Sequence, residues 1–122
     1  MGNPNIATAT SIIGGTAYGL LDTGGLVEVL ENAASSNLVL KINTLIISNY
    51  DGSNAADISA SISDASGGSD RFFAYLITVP AKSNLVLISK DIGFYLLENK
   101  AINLHASAAN DLNYFLSYET IS

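Results

Sequence analysis

The sequence predicts an all-β chain, an antiparallel β-sandwich of jelly-roll-like kind with a Gly-rich N-terminal arm. Three observations carry this. Apolar runs are short and rich in Ile, Leu, Val, Tyr, Phe and Thr, the residues that fit a pleated surface. Clusters of Gly, Asn, Asp, Ser and a mid-chain Pro80 interrupt them at intervals near ten residues. Several runs alternate with period two, the repeat of a strand with one face buried.

From Leu38 to Ser48, Leu38, Leu40, Ile42 and Ile46 share a phase, while Lys41 and Asn43 point the other way. Leu45-Ile46-Ile47 is apolar on both faces, which predicts cover by another layer or another subunit. Asn49-Tyr50-Asp51-Gly52-Ser53-Asn54 follows, and Asp-Gly predicts a hairpin there. Asp57 to Ser63 alternates, with Ile58, Ala60 and Ile62 expected inside and Asp57, Ser59, Ser61 and Ser63 in solvent. Asp64 to Asp70 is a loop, and Arg71 to Val79 a strand rich in aromatics.

Pro80 lacks a ladder donor and ends that strand. Leu85 to Ser89, Phe94 to Leu97, Ala101 to Ser107 and Leu112 to Tyr118 are the later strands, separated by turns at 80–84, 91–93, 98–100 and 108–111. Earlier in the chain, Leu26 to Asn32 is read as a strand. Residues 1–25 form the expected extended arm, because Gly14, Gly15 and Gly19 break the apolar pairs between Ser11 and Leu21 and weaken helix and regular strand alike. Residues 26–122 form the sandwich, and the whole is one domain.

Composition narrows the function. Of 122 residues 48% are hydrophobic, which excludes disorder, and only 13% are charged against about 25% in ordinary globular proteins. Scarce charge predicts protein partners. The net charge is -6, and the cations Lys41, Arg71, Lys82, Lys90 and Lys100 are scattered, so nucleic acid is a poor partner. No run approaches the roughly 18 apolar residues of a membrane helix, and Met1-Gly2-Asn3-Pro4 lacks the charged start of a signal peptide, so no membrane association or secretion is expected. Absence of cysteine excludes disulfides, thiol catalysis and thiolate metal sites.

No constellation carries an enzyme signature. His105 is the one histidine, set on a strand in the phase opposite to Ile102, Leu104 and Ala106, and His catalysis needs an orienting partner and a nucleophile. No Gly-x-Ser-x-Gly elbow surrounds any Ser. Asp51, Asn54 and Asp57 have the every-third spacing of a cation loop but lack the alternate ligands and closing Glu of an EF-hand, so turn chemistry is preferred. The pairs Gly14-Gly15, Gly24-Gly25 and Gly67-Gly68 lack the Lys-Ser/Thr ending of a phosphate loop, and Glu28, Glu31, Glu98 and Glu119 show no glycosidase spacing. No metal or cofactor is expected.

The candidate sites are therefore interfaces. Ile12, Ile13, Leu20 and Leu21 on the arm, with Leu45, Ile47, Val86 and Ile88 on doubly apolar strands, are the expected protein-contact residues. Tyr50 and Tyr95, beside predicted turns, are the candidates should the chain bind a glycan.

Several segments together resemble a group of small virion proteins of tailed bacteriophages, cyanophages among them. They are Lys41-Ile42-Asn43-Thr44-Leu45-Ile46-Ile47-Ser48-Asn49, Asp51-Gly52-Ser53-Asn54-Ala55-Ala56-Asp57, Tyr75-Leu76-Ile77-Thr78-Val79-Pro80-Ala81, Leu85-Val86-Leu87-Ile88-Ser89-Lys90-Asp91 and Ala106-Ser107-Ala108-Ala109-Asn110-Asp111-Leu112 to Ser117-Tyr118-Glu119. The resemblance covers most of the chain after Leu38. It implies a β-sandwich made in the host cytoplasm and carried in the virion as a capsid cement (decoration) protein, or as a tail or neck component. Its implied partners are the major capsid protein or other virion proteins and further copies of itself, as a trimer by analogy. It implies no active site.

Overall fold

A computed structural model describes residues 4–21 and 26–122. The described strands are β1 (Ile12–Leu20), β2 (Leu26–Asn32), β3 (Val39–Asn49), β4 (Ala56–Asp64), β5 (Arg71–Val79), β6 (Asn84–Ile88), β7 (Phe94–Leu96), β8 (Lys100–Ala106) and β9 (Leu112–Ile121), with 3₁₀ turns at Ile6–Thr8 and Lys90–Ile92. All pairings are antiparallel. The first sheet has the order β1-β9-β3-β6, with β7 also on β3, and the second β2-β8-β4-β5. The chain crosses repeatedly between sheets, so that β1 lies beside β9 and β2 beside β8. That is the order of a jelly roll, and the all-β sandwich expectation holds.

Residues 12–20, expected as part of a free arm, are extended but lie along β9 as the edge strand of the first sheet. Glycine allows this. Gly15 and Gly19 stand opposite Tyr118 and Tyr114 in register, and a Cβ on either glycine would meet the facing ring at 2.9 and 3.2 Å. The tyrosine rings cover the bare backbone and supply the apolar contact that the glycines lack. Residues 22–25, the rest of the expected arm with residues 1–3, lie outside the described residues.

The core fills the space between the sheets with Leu40, Ile42, Leu45, Ile47, Ile58, Leu96, Ile102, Leu104, Leu112 and Leu116 among others. Residues 39–49 explain the doubly apolar sequence. Pairing of β3 with β9 steps from Ile42 opposite Tyr118 to Thr44 opposite Ser117, leaving Asn43 as an extra residue. A bulge reverses the inward phase. Leu40 and Ile42 are buried before it and Leu45 and Ile47 after it, so Ile46, expected in phase with Ile42, turns to the outer face.

The Asp51-Gly52 segment is not a hairpin, because β3 and β4 belong to different sheets. Buried Asn49 directs the crossing. Its Nδ2 donates to the carbonyls of Asn54 at 2.9 Å and Val79 at 3.0 Å, and its Oδ1 accepts from the Asp51 N–H at 3.0 Å. On the second sheet, Ser59 and Ser61 are buried rather than solvated. The 64–70 loop folds back to bring Asp70 Oδ1 within 3.1 Å of both Ser61 Oγ and Asn103 Nδ2, and Ser59 Oγ accepts from the N–H of Leu76, a bulged residue with φ 51°.

Gly93 packs where the chain passes from β6 to β7 across the β3 bulge. A Cβ there would drive into the carbonyl oxygen of Ile42, which is backbone and cannot rotate away. Gly93→Ala is expected to destabilise the fold by about 3 kcal/mol in urea or thermal unfolding. Gly14→Ala, where a Cβ meets nothing within 4 Å, is expected to be neutral or mildly stabilising.

Candidate functional surfaces

The eight expected contact residues divide into two groups. Ile12, Ile13, Leu20 and Val86 are exposed, at 60%, 63%, 39% and 52%. Leu21, Leu45, Ile47 and Ile88 are sealed in the core at 2% exposure or less, and as contact residues they are corrected. For Leu45 and Ile47 the reason is the bulge. Ile88 stands opposite Leu45 in register and follows it inward, and Leu21 is fastened at the sandwich end by its N–H to Leu112 O at 2.8 Å and its carbonyl from Asn110 N–H at 2.9 Å.

The outer face of the first sheet carries the surface that the sequence concealed. Register places Tyr18 beside Phe115, Phe115 beside Ile46 and Ile46 beside Val86. These four side chains cross β1, β9, β3 and β6 as one apolar stripe. The Tyr18 and Phe115 rings are parallel within 15° and 6.2 Å apart. A row of Thr16, Ser117 and Thr44 borders the stripe on one side, and Leu20, Asn113, Ser48 and Asn84 on the other. Beyond the hydroxyl row lie Gly14, Glu119, Lys41 and Tyr95. Lys41 and Glu119 are the only charged residues on the strands of this sheet.

A second apolar region follows β5, an edge of the other sheet. Phe72, Phe73, Tyr75, Leu76 and Ile77 are all exposed there. Phe72 meets Tyr75 edge-on at 5.1 Å, and Phe73 meets Phe94 of β7 edge-on at 5.6 Å, tying the two sheets together along one side. Register with β4 breaks between Ile58 and Ala60 and again between Ala60 and Ser61, which twists this edge away from straightforward strand addition.

Tyr50 and Tyr95 are exposed as required, but they stand at opposite ends of β3: Tyr95 pairs with Lys41, and Tyr50 follows Asn49. They cannot form one platform. Tyr50 lines an open cleft of about 610 Å³ with Ser48, Asn49, Lys82, Ser83 and Asn84. Tyr95 lines a more apolar cleft of about 320 Å³ with Pro4, Asn5, Ile6, Val39 and Leu97.

The acidic residues behave as turn and surface groups. Asp51 Oδ1 accepts from the N–H groups of Ser53 at 2.8 Å and Asn54 at 3.3 Å, whereas Asp57 Oδ1 is taken by Thr78 Oγ1 at 2.8 Å. Among the described residues no group of three or more His, Cys, Asp or Glu could hold a metal ion. The Lys100–Asp64 ion pair is well exposed and contributes little. His105 is half-buried on β8, in register with Leu26 and Ser59.

No family model matches the chain, and no curated protein matches it. Among solved structures, it is similar to a pentameric capsid protein isolated from metagenomic phage sequences, with TM-score 0.41, 11% identity, and 87% of this chain and 60% of that one covered. It is similar also to Eiger TNF from S. frugiperda (TM-score 0.38, 10% identity, 91% and 92% covered) and to a chain of the cyanophage Pam1 capsid asymmetric unit (0.39, 14%, 99% and 91%). The chain thus spans about 60% of the length of that metagenomic phage protein.

Asp51 and Asp111 titrate in opposite senses. The Ser53 N–H, then the Asn54 side chain, holds the Asp51 carboxyl below the usual range, while desolvation, then the charge of Asp51, pushes Asp111 up. Asp51 therefore stabilises the fold above the ordinary carboxylate pKa, and this is lost as pH falls through its depressed value. Asp111 does the reverse: its ionisation costs stability above its raised value, and the cost disappears as pH falls to the ordinary one. Asp111→Asn is expected to raise the thermal midpoint at neutral pH and to leave it unchanged in acid below the ordinary carboxylate range.

Proposed function

We propose that the chain is a non-enzymatic structural protein of a tailed-phage virion, acting as a capsid cement (decoration) protein through contacts with the major capsid protein and with further copies of itself. The observation that supports this most strongly is the placement of its apolar surface. The sandwich core is complete without Ile12, Ile13, Tyr18, Phe115, Val86, Phe72, Tyr75 and Leu76, yet these remain exposed on two strand edges and one open sheet face. Apolar groups left out of a finished core mark protein contact.

A cement protein needs this combination. It must be rigid alone, and it must bury apolar area across subunit boundaries, about 800 Å² per partner for a contact of ordinary stability. The sequence resemblance to small virion proteins agrees with that reading, and the trimer is the assembly that the resemblance implies.

The Tyr50 cleft favours a second reading, a tail or neck component that binds a glycan or receptor, since Tyr50 supplies a stacking ring beside Asn84, Ser83 and Lys82. Purified chain added to capsids stripped of decoration is expected to bind at saturable stoichiometry, and capsids lacking it to lose integrity several-fold faster on heating. Equal stability with and without the chain would exclude the cement role. Host-cell adsorption lost with Tyr50→Ala would favour the tail reading.

A further inference from the structure

We propose that the outer face of the first sheet is a self-association surface, on which a second copy of this chain packs face to face about a two-fold axis lying in the contact plane along the strands. The inference deepens the self-association part of the proposed function and replaces the trimer of the resemblance with a two-fold pair. Charge limits the choice of partner. The chain carries -6 overall, so two copies repel, yet the strands of this sheet hold one cation and one anion. This face brings two copies together without stacking their excess negative charge.

The rows of the face match themselves under that axis. Rotation about the strand direction lays the order β1-β9-β3-β6 over its own reverse and keeps each row at its height. Tyr18 then stands over the partner's Val86, and Phe115 over the partner's Ile46, so each aromatic ring meets a branched aliphatic side chain. Ser117 meets the partner's Thr44, hydroxyl against hydroxyl. Lys41 meets the partner's Glu119, and Glu119 meets the partner's Lys41. Lys41 holds no ion pair among the described residues, although it lies beside Glu119 in register.

Area permits such a pair. Four strands about 4.8 Å apart, open over about seven residues before Val39 and Ile121 are buried at one end, present roughly 450 Å² per copy, or about 900 Å² in all, the size of a weak, concentration-dependent contact. Aligned sheets packed face to face, about 10 Å apart and within about 30° of parallel, keep the rows in contact.

The test is sedimentation of the full chain from micromolar to millimolar concentration. Wild type is expected to form a dimer. Phe115→Ser, K41E and E119K are each expected to weaken it by about tenfold or more, with the thermal midpoint checked to confirm folding. Mixing K41E with E119K is the decisive measurement. One contact then joins the two introduced charges, opposite in sign, and the other joins the two native ones, so the mixture is expected to form a heterodimer that neither variant forms alone. A wild-type monomer throughout the range, a trimer, a dimer indifferent to Phe115→Ser, or a mixture that stays monomeric would overturn the proposal. A monomer that holds a glycan through Tyr18 and Phe115 would overturn it too and give the face to carbohydrate. Capsid binding by a monomeric chain leaves the cement reading standing alone, and a dimer indifferent to capsids leaves this inference standing alone.

Discussion

The extra residue at Asn43 in β3 is the constraint on which the two halves of the first sheet depend. β3 is the longest strand and the only one to pair with β6, β7 and β9. One inserted residue turns Leu45 and Ile47 inward and Ile46 outward, and with them the residues that β6 sets opposite. The same bulge divides the strands on its open side: β7 pairs with Leu40 to Ile42 before it, and β6 with Leu45 to Ser48 after it. Gly93 makes that division possible, since only a residue without a side chain can pass so close to the Ile42 carbonyl.

Core and outer apolar stripe are therefore the two sides of one register choice. Without the bulge, Ile46 would lie inside and the apolar stripe on the outer face would lose the link between Phe115 and Val86. Glycine acts similarly at the edge. Gly15 and Gly19 let Tyr118 and Tyr114 close over β1 from inside, which leaves Tyr18 free to face outward beside Phe115. Buried amides do the corresponding work at the ends of strands: Asn49 joins the end of β3 to Asn54 and Val79, and Asn32 Nδ2 donates to the carbonyls of Leu38 at 2.8 Å and Leu96 at 3.0 Å. Such groups cost more to leave unpaired than they contribute when paired, so they specify one path for the chain between sheets.

Charge is segregated along with apolar surface. Glu28, Glu31, Asp57, Asp64, Arg71 and Lys100 all lie on strands of the second sheet, and among the described residues the other charges outside the first sheet's Lys41 and Glu119 lie in connections. The second sheet also buries a polar cluster, Ser59, Ser61 and Asn103, beneath β5 and the returning 64–70 loop. One sheet is thus finished by hydrogen bonds to its own loop, and the other carries one cation and one anion on its strands beside an exposed apolar stripe. A low charge fraction spread evenly would make a merely insoluble surface; concentrated on one face, it makes a directional one.

The all-β class, the approximate strand ranges, the turn positions and the scarcity of charge are legible in the sequence, because period-two alternation and turn residues are local properties that each segment carries wherever it is placed. The same reading grouped Ile12, Ile13, Leu20 and Val86, which are exposed, with Leu21, Leu45, Ile47 and Ile88, which are buried. Tertiary structure alone decided what those strands meet. The hairpin expected at Asp51-Gly52 became a sheet-to-sheet crossing, and the arm at residues 12–20 became an edge strand, because pairing partners come from distant segments such as 112–121. The division of Leu45, Ile47 and Ile88 from Ile46 and Val86 turned on a single inserted residue, and register between strands is an energy shared by two segments, visible in neither. The stripe of Tyr18, Phe115, Ile46 and Val86 joins residues nearly a hundred positions apart, and only folding sets them side by side.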